Sequence, residues 1–135
     1  MKVTESGIKG VYIIEPDVYI DDRGFFMETF HIEKYRKLLG MNLDFVQDNI
    51  SRSSRNVLRG MHFQRNYPQG KIVKASRGEI LDVIVDLRKD SPTYGTWESF
   101  KLSEQNKLQV WIPPGFAHGF LVMSDSADFE YKCTE

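Results

Sequence analysis

Apolar positions along this chain recur mostly with period two. Val11, Ile13 and then Val18, Ile20 alternate around Pro16, which reads as two short strands, or one bent strand, near a sheet edge. Asp21-Asp22-Arg23-Gly24 is a turn signal, and an extended aromatic run containing Glu28 follows from Phe25 to Phe30. Further strands are predicted over Phe45–Ser51, Lys71–Ala75, Glu79–Asp86, Thr96–Leu102, Lys107–Ile112, Phe116–Met123 and Phe129–Cys133. They are punctuated by Arg77-Gly78, Ser91-Pro92, Pro113-Pro114-Gly115 and similar breaks. One segment departs from this period. Ile32, Tyr35, Leu38 and Leu39 recur at helical spacing and Gly40 supplies a stop, so a single short amphipathic helix is expected between about His31 and Leu39. Short strands with one helix predict an all-β sandwich or barrel.

Two stretches carry residues that the strand pattern does not call for. Asn56-Val57-Leu58-Arg59-Gly60-Met61-His62-Phe63-Gln64, followed by Gln69-Gly70-Lys71, sets arginine, glycine, histidine and glutamine inside an otherwise strand-like run. Strict alternation puts Leu58, Gly60, His62 and Gln64 on one face and Val57, Arg59, Met61 and Phe63 on the other. A second stretch, Ile112-Pro113-Pro114-Gly115-Phe116-Ala117-His118-Gly119-Phe120, again delivers one histidine beside glycine and aromatics. A lone strand histidine is ordinarily a satisfied core or surface residue; two delivered alike point to one cavity. Gln47, Asp48 and Asn49 are three poor strand formers in a row, which usually mark a turn and less commonly a polar cavity wall. Arg23 and Glu28 read by default as a solvated pair.

Composition narrows the picture. The 135 residues suit one domain, 1–135, able to bury a core without staples. A formal net charge of −1 with both signs interspersed gives no footprint for nucleic acid or a membrane surface, so the expected partner is a small molecule. The single cysteine, Cys133, fits a small apolar filler in a reducing compartment. No apolar run approaches the roughly 18 residues of a membrane span, and the first residues lack a signal-peptide core. A cytoplasmic protein is expected.

The chemistry on offer is acid–base. His31, His62 and His118 include no His-x-His pair, so no metal is expected, and no other cofactor either. No serine lies in a nucleophile elbow, and no glycine-rich phosphate loop is present. What remains is proton transfer by His62, Lys71, Asp82, His118 and Tyr131, with Arg23 and Arg59 available for anions.

Asp22-Arg23-Gly24-Phe25-Phe26-x-Glu28, Phe45-Val46-Gln47-Asp48-Asn49-x-Ser51, Leu58-Arg59-Gly60-x-His62, Gln69-Gly70-Lys71 and Ile112-Pro113-x-Gly115-Phe116-Ala117-His118-Gly119-Phe120, ending with Glu130-Tyr131-Lys132, closely resemble the dTDP-4-dehydrorhamnose 3,5-epimerases. The match runs in order through nearly the whole chain. The resemblance implies a cupin jelly roll, a double-stranded β-helix barrel. Pro113-x-Gly115-x-x-His118 looks like the second cupin motif, and His62-Phe63-Gln64 stands where metal-binding cupins carry His-x-His.

It further implies a nucleotide-linked, dTDP-type 4-keto-6-deoxyhexose as substrate, whose C3 and C5 hydrogens are acidic because their loss gives an enolate at C4. His62 matches the base, Tyr131 the acid on the opposite face, Lys71 the positive charge beside the enolate oxygen, and Asp82 a carboxylate near that lysine. Arg59 and His118 match residues that bind the diphosphate, and Gln47 and Asn49 line the pocket. Arg23 and Glu28 match nucleotide-binding residues supplied by a partner subunit, so a homodimer is expected. Family members continue past the position of Glu135 with an aspartate that orients the histidine and a tyrosine that stacks on thymine. Residues 1–135 therefore read as a short or truncated member. Two alternatives stay open at this point: a nucleotide-sugar 3,4-ketoisomerase, and a sugar-nucleotide binding cupin without activity.

Overall fold

The computed structural model describes residues 1–63, 65 and 69–135. It contains twelve strands and one helix among those residues. In chain order these are β1 (Lys2–Glu5), β2 (Tyr12–Glu15), β3 (Val18–Asp21), β4 (Gly24–Met27), α1 (Ile32–Leu39), β5 (Gln47–Ser54), β6 (Leu58–His62) and β7 (Lys71–Arg77). Then come β8 (Glu79–Asp86), β9 (Trp97–Ser103), β10 (Gln109–Ile112), β11 (Phe116–Val122) and β12 (Ser126–Cys133). A six-stranded sheet runs β1-β2-β10-β7-β12-β5, a four-stranded sheet runs β6-β11-β8-β9, and β3 and β4 form a separate hairpin. Every pairing is antiparallel.

The two sheets face each other over a core to which both contribute. Val73, Val110, Ala127 and Phe129 come from the larger sheet, and Ile80, Ile84, Leu102 and Val122 from the smaller. Strand β8 shows how sequence makes this geometry. Ile80, Asp82, Ile84 and Asp86 are buried while the residues between them are not, the period-two signature of a strand with one covered face. A second cluster of Ile14, Tyr35, Leu39, Leu43, Ile72 and Trp111 lies under α1. Strand β7 therefore serves both sides: Ile72 packs beneath the helix and Val73 into the inter-sheet core.

The helix begins where His31 caps it, its side chain accepting from Lys34 N at 3.4 Å, and ends at Gly40, which takes φ +68°. That left-handed turn is open to glycine at no steric cost.

The two short strands expected near a sheet edge are β2, one place in from the edge strand β1 of the larger sheet, and β3, which pairs only with β4. Strand β1 was not expected, because its Lys2–Glu5 run shows too little apolar alternation to read. Two expectations need correcting. Gln47, Asp48 and Asn49 make no turn, because β5 runs through them in full register with β12, and cross-strand pairing outweighs their weak propensity. Arg23 and Glu28 do not pair with one another. Arg23 bonds Asp21 at 2.6 Å within the hairpin turn, and Glu28 bonds Lys34 at 2.8 Å.

Candidate active site

Strand β6 brings the first histidine to the second. His62 lies opposite His118, and Arg59 opposite Phe120, so three steps along β6 match two along β11. The extra residue is a bulge, and it breaks strict alternation. His118 and Phe120 share a face of β11, so Arg59 and His62 come to the same side, against the expectation that set them on opposite faces. The bulge centres on Gly60, with φ +110°. A Cβ there would stand 2.6 Å from the Gly119 Cα and 2.7 Å from the His118 carbonyl oxygen, and one on Gly119 would stand 2.8 Å from the Arg59 carbonyl oxygen. The two glycines let the backbones close to this distance. Gln64, which strict alternation set on the His62 face, lies outside the described residues.

Two cavities meet at this point. One of about 230 Å³ is lined by Asn49, Arg59, His62, Lys71, His118 and Tyr131, among others. The other, about 400 Å³, shares His62, Lys71 and Tyr131 and adds Phe63, Gln69 and Phe116. Strand pairing explains the convergence. Lys71 opens β7, Tyr131 sits on β12, and both strands lie in the larger sheet, facing β6 and β11 of the smaller. The Lys71 ammonium stands 5.2 Å from the centre of the Tyr131 ring. Burial pushes the Tyr131 phenol above its ordinary pKa, and the Cys133 thiol adds to the rise, so the phenol keeps its proton.

The most buried polar pair here is Asp82 and His118. Asp82 is wholly inaccessible, and its Oδ1 lies 2.6 Å from His118 Nε2. Its Oδ2 is buried with no hydrogen-bond partner among the described residues. A carboxylate in that setting orients the imidazole with Nε2 as donor and leaves Nδ1 as the free ring nitrogen. Phe129 stacks against the ring with centroids 5.7 Å apart. Asp82, expected near Lys71, lies on the sheet that faces the lysine's own, and its hydrogen bond among the described residues is to His118.

The wall that carries Asn49 was only a minor alternative in the sequence. Gln47, Asn49, Ser51 and Ser53 pair with Cys133, Tyr131, Phe129 and Ala127, residues of the inward face of β12. Asn49 donates to Gln47 Oε1 at 3.1 Å, and Gln47 itself is exposed at the rim. Ser53 was missed altogether. It is buried and accepts from Arg59 Nε at 2.8 Å, holding the guanidinium against the wall. The signal that would have found it is the run of polar residues at every second position of β5.

Arg23 and Glu28 stand apart, on the β3–β4 hairpin and just after it, and line neither of these cavities. The hairpin also exposes Tyr19, Ile20, Phe25 and Phe26. A further cavity, about 620 Å³, opens between this hairpin and the outer face of β7 and β12, and neither His62 nor His118 lines it. Among the described residues no three His, Cys, Asp or Glu side chains are grouped to hold a metal ion. No described helix is long and apolar enough to cross a membrane.

A family model described as dTDP-4-dehydrorhamnose 3,5-epimerase matches residues 5–135. The protein of that name from Methanothermobacter thermautotrophicus is 55% identical over 131 residues, covering 97% of this chain and 70% of its own length. That from Pseudomonas aeruginosa is 52% identical over 135 residues, covering 100% of this chain and 75% of its own. Among solved structures, the dTDP-6-deoxy-D-glucose-3,5-epimerase of Legionella pneumophila, in complex with dTDP-4-keto-L-rhamnose, superposes with a TM-score of 0.96. Its identity is 52%, over 99% of this chain and 71% of that one. A 3'-monoepimerase from Streptomyces bikiniensis, in complex with dTDP-quinovose, matches at 34% identity and a TM-score of 0.89, over 96% of this chain and 66% of that one. With a matching family model and relatives above half identical over nearly all its residues, this chain belongs to the cupin-fold dTDP-4-dehydrorhamnose 3,5-epimerase family.

Proposed function

We propose that this isomerase inverts C3 and C5 of a dTDP-linked 4-keto-6-deoxyhexose by metal-free acid–base catalysis through an enolate. One observation carries the reading: His62, Lys71 and Tyr131 line the same two adjoining cavities, a base, a cation and a protonated phenol within one substrate's reach. His62 removes the proton from C3 or C5, and the electron pair moves onto the C4 oxygen. Lys71 donates a hydrogen bond to that oxygen, where preorganised positive charge is worth several kcal/mol in a site screened from water. Tyr131 returns a proton to the opposite face of the carbon, which inverts it. His118, oriented by Asp82, and Arg59, held by Ser53, bind the diphosphate, while Gln47 and Asn49 line the sugar pocket.

Residues 1–135 act in this reading as one cupin unit. The exposed aromatic hairpin supports a homodimer in which Arg23 and Glu28 reach the partner's nucleotide site. Sedimentation at micromolar concentration checks this: a monomer that still binds nucleotide sugar would end the shared-site proposal. A cytoplasmic role in supplying deoxysugar for surface polysaccharide suits the same chemistry. Elemental analysis checks metal independence. A stoichiometric transition metal whose removal abolishes turnover would count against it.

The deciding experiment is incubation with dTDP-4-keto-6-deoxyglucose in D₂O. Deuterium is expected at C3 and C5 of the epimerised product, with His62→Ala abolishing both. Deuterium at one carbon alone would place this chain with the monoepimerases, such as the Streptomyces bikiniensis protein. Exchange unchanged in His62→Ala would overturn the assignment of the base. A product with its carbonyl moved to C3 would indicate the ketoisomerase, and binding without exchange the inactive cupin.

A further inference from the structure

Just before β7 the chain passes over Trp111. Strand alternation sends Ile72 to the helix-covered cluster and Val73 to the inter-sheet core. By the same count Gly70 faces the helix side and Lys71 the cavity. A Cβ on Gly70 would overlap Cη2 of Trp111 and meet Cζ3 at 3.0 Å and Cζ2 at 3.2 Å, so the backbone here lies close against the six-membered ring of the indole. Both polar groups of Gly70 are held from the other side: its N–H donates to Thr134 Oγ1 at 2.9 Å and its carbonyl accepts from Thr134 N at 3.0 Å. The indole is itself clamped. Trp111 is buried, and Phe45 meets it edge-on at 6.2 Å.

We propose that Gly70 and Trp111 are a positioning pair for Lys71: the approach of backbone to indole sets how far the Lys71 ammonium reaches into the cavity beside His62 and Tyr131. This rests on the acid–base reading given above. An ammonium aimed at a developing oxyanion is effective only within a narrow range of positions. A side chain at 70 lifts the strand off the indole and takes Lys71 with it. The three colliding atoms belong to the six-membered ring of Trp111 and lie beyond the reach of phenylalanine. Trp111→Phe therefore creates the room that Gly70→Ala needs.

The test compares full-length Gly70→Ala, Trp111→Phe and the double variant, with dTDP-4-keto-6-deoxyglucose as substrate. Gly70→Ala is expected to lower kcat roughly ten- to hundredfold with KM little changed, the pattern of a contact made mainly in the transition state. Trp111→Phe should lose less, and the double variant should return to the level of Trp111→Phe. A second readout does not depend on turnover. After ¹³C reductive methylation, the Lys71 dimethylamine resonance and its titration should move in Gly70→Ala and move back in the double variant. An unchanged kcat in Gly70→Ala overturns the proposal, as does a folded double variant as impaired as Gly70→Ala. If Gly70→Ala alone does not fold, the double variant decides, and its failure to fold places the constraint elsewhere than Trp111 and also overturns the pair. Should the wild-type chain show no turnover, the acid–base reading falls, and the resonance alone upholds or overturns the placement of Lys71.

Discussion

The two faces of the larger sheet are built by the same strands and behave as opposites. On the helix side, Ile14, Tyr35, Leu39, Ile72 and Trp111 close into an apolar layer. Its polar groups are largely paired: the Tyr35 hydroxyl lies 2.7 Å from Gln109 Oε1, and Gln109 Nε2 donates to the Thr29 carbonyl at 2.9 Å. On the other face, near the β6–β11 bulge, Lys71, Tyr131 and Asn49 open onto a cavity, and Asp82 Oδ2, across from them, has no partner among the described residues. One face spends its polar atoms on holding the fold. The other keeps them available, at a cost in stability that the apolar layer behind it offsets. The comparison teaches that rigidity and reactivity are divided between alternate residues of single strands, so neighbours in sequence can have unrelated jobs.

The sharpest way to break that division is Tyr131→Phe on the reactive face. Turnover should fall about 10²- to 10⁴-fold, the usual worth of a general acid. Thermal stability should hardly move, and some deuterium exchange should persist, because His62 can still remove and return a proton on its own face. A large fall in melting temperature would show that Tyr131 belongs to the structural layer instead.

On the helix side the expectation reverses. Leu39→Ala should cost about 2–5 kcal/mol of stability by denaturant unfolding, the range for a buried leucine, with turnover per folded molecule retained. Loss of turnover in the intact protein would show that the two faces are coupled beyond the contact between Gly70 and Trp111.

Alkaline titration probes the same layer more gently. Burial raises the Tyr35 phenol from 10.0 to about 12, against a smaller lowering by Gln109. The folded state thus holds this proton more tightly than the unfolded chain does. The stability from this group is complete below pH 10 and is lost as pH rises toward 12, to a total on the order of 2–3 kcal/mol. Unfolding free energy measured across that window should decline, and in Tyr35→Phe the part of the decline due to this residue should vanish. The smallest effect is that substitution at neutral pH, about 1–2 kcal/mol, because Gln109 Oε1 loses its hydroxyl donor in a buried place. No change in stability there would mean that water or rearrangement satisfies Gln109.

Much of this was legible in order along the chain. The strands of the second half fall within two or three residues of their expected bounds, because Glu79–Asp86 and its neighbours alternate cleanly and end at glycine and proline. The helix was legible for the same reason, from Ile32, Tyr35 and Leu39 with Gly40 as stop. Strand β1 was not, since Lys2–Glu5 carries a single apolar residue and is a strand only because β2 offers it a ladder. The candidate site was legible as residue types and as a family resemblance, but its grouping was not. Ser53 gains meaning only from the Arg59 guanidinium beside it, and Asp82 only from His118 on the neighbouring strand.

By itself, then, the sequence determined the period of each segment, the turns and the stock of acids and bases, because these depend on neighbours within a few residues. Only the tertiary structure decided which faces those residues share. The bulge at Gly60 brings Arg59 to the side of His62. It exists because Gly119, about sixty positions later, lets the two backbones close to a distance that no Cβ permits. A face is a property of pairing between strands distant in sequence, and one extra residue on one partner is enough to reverse it.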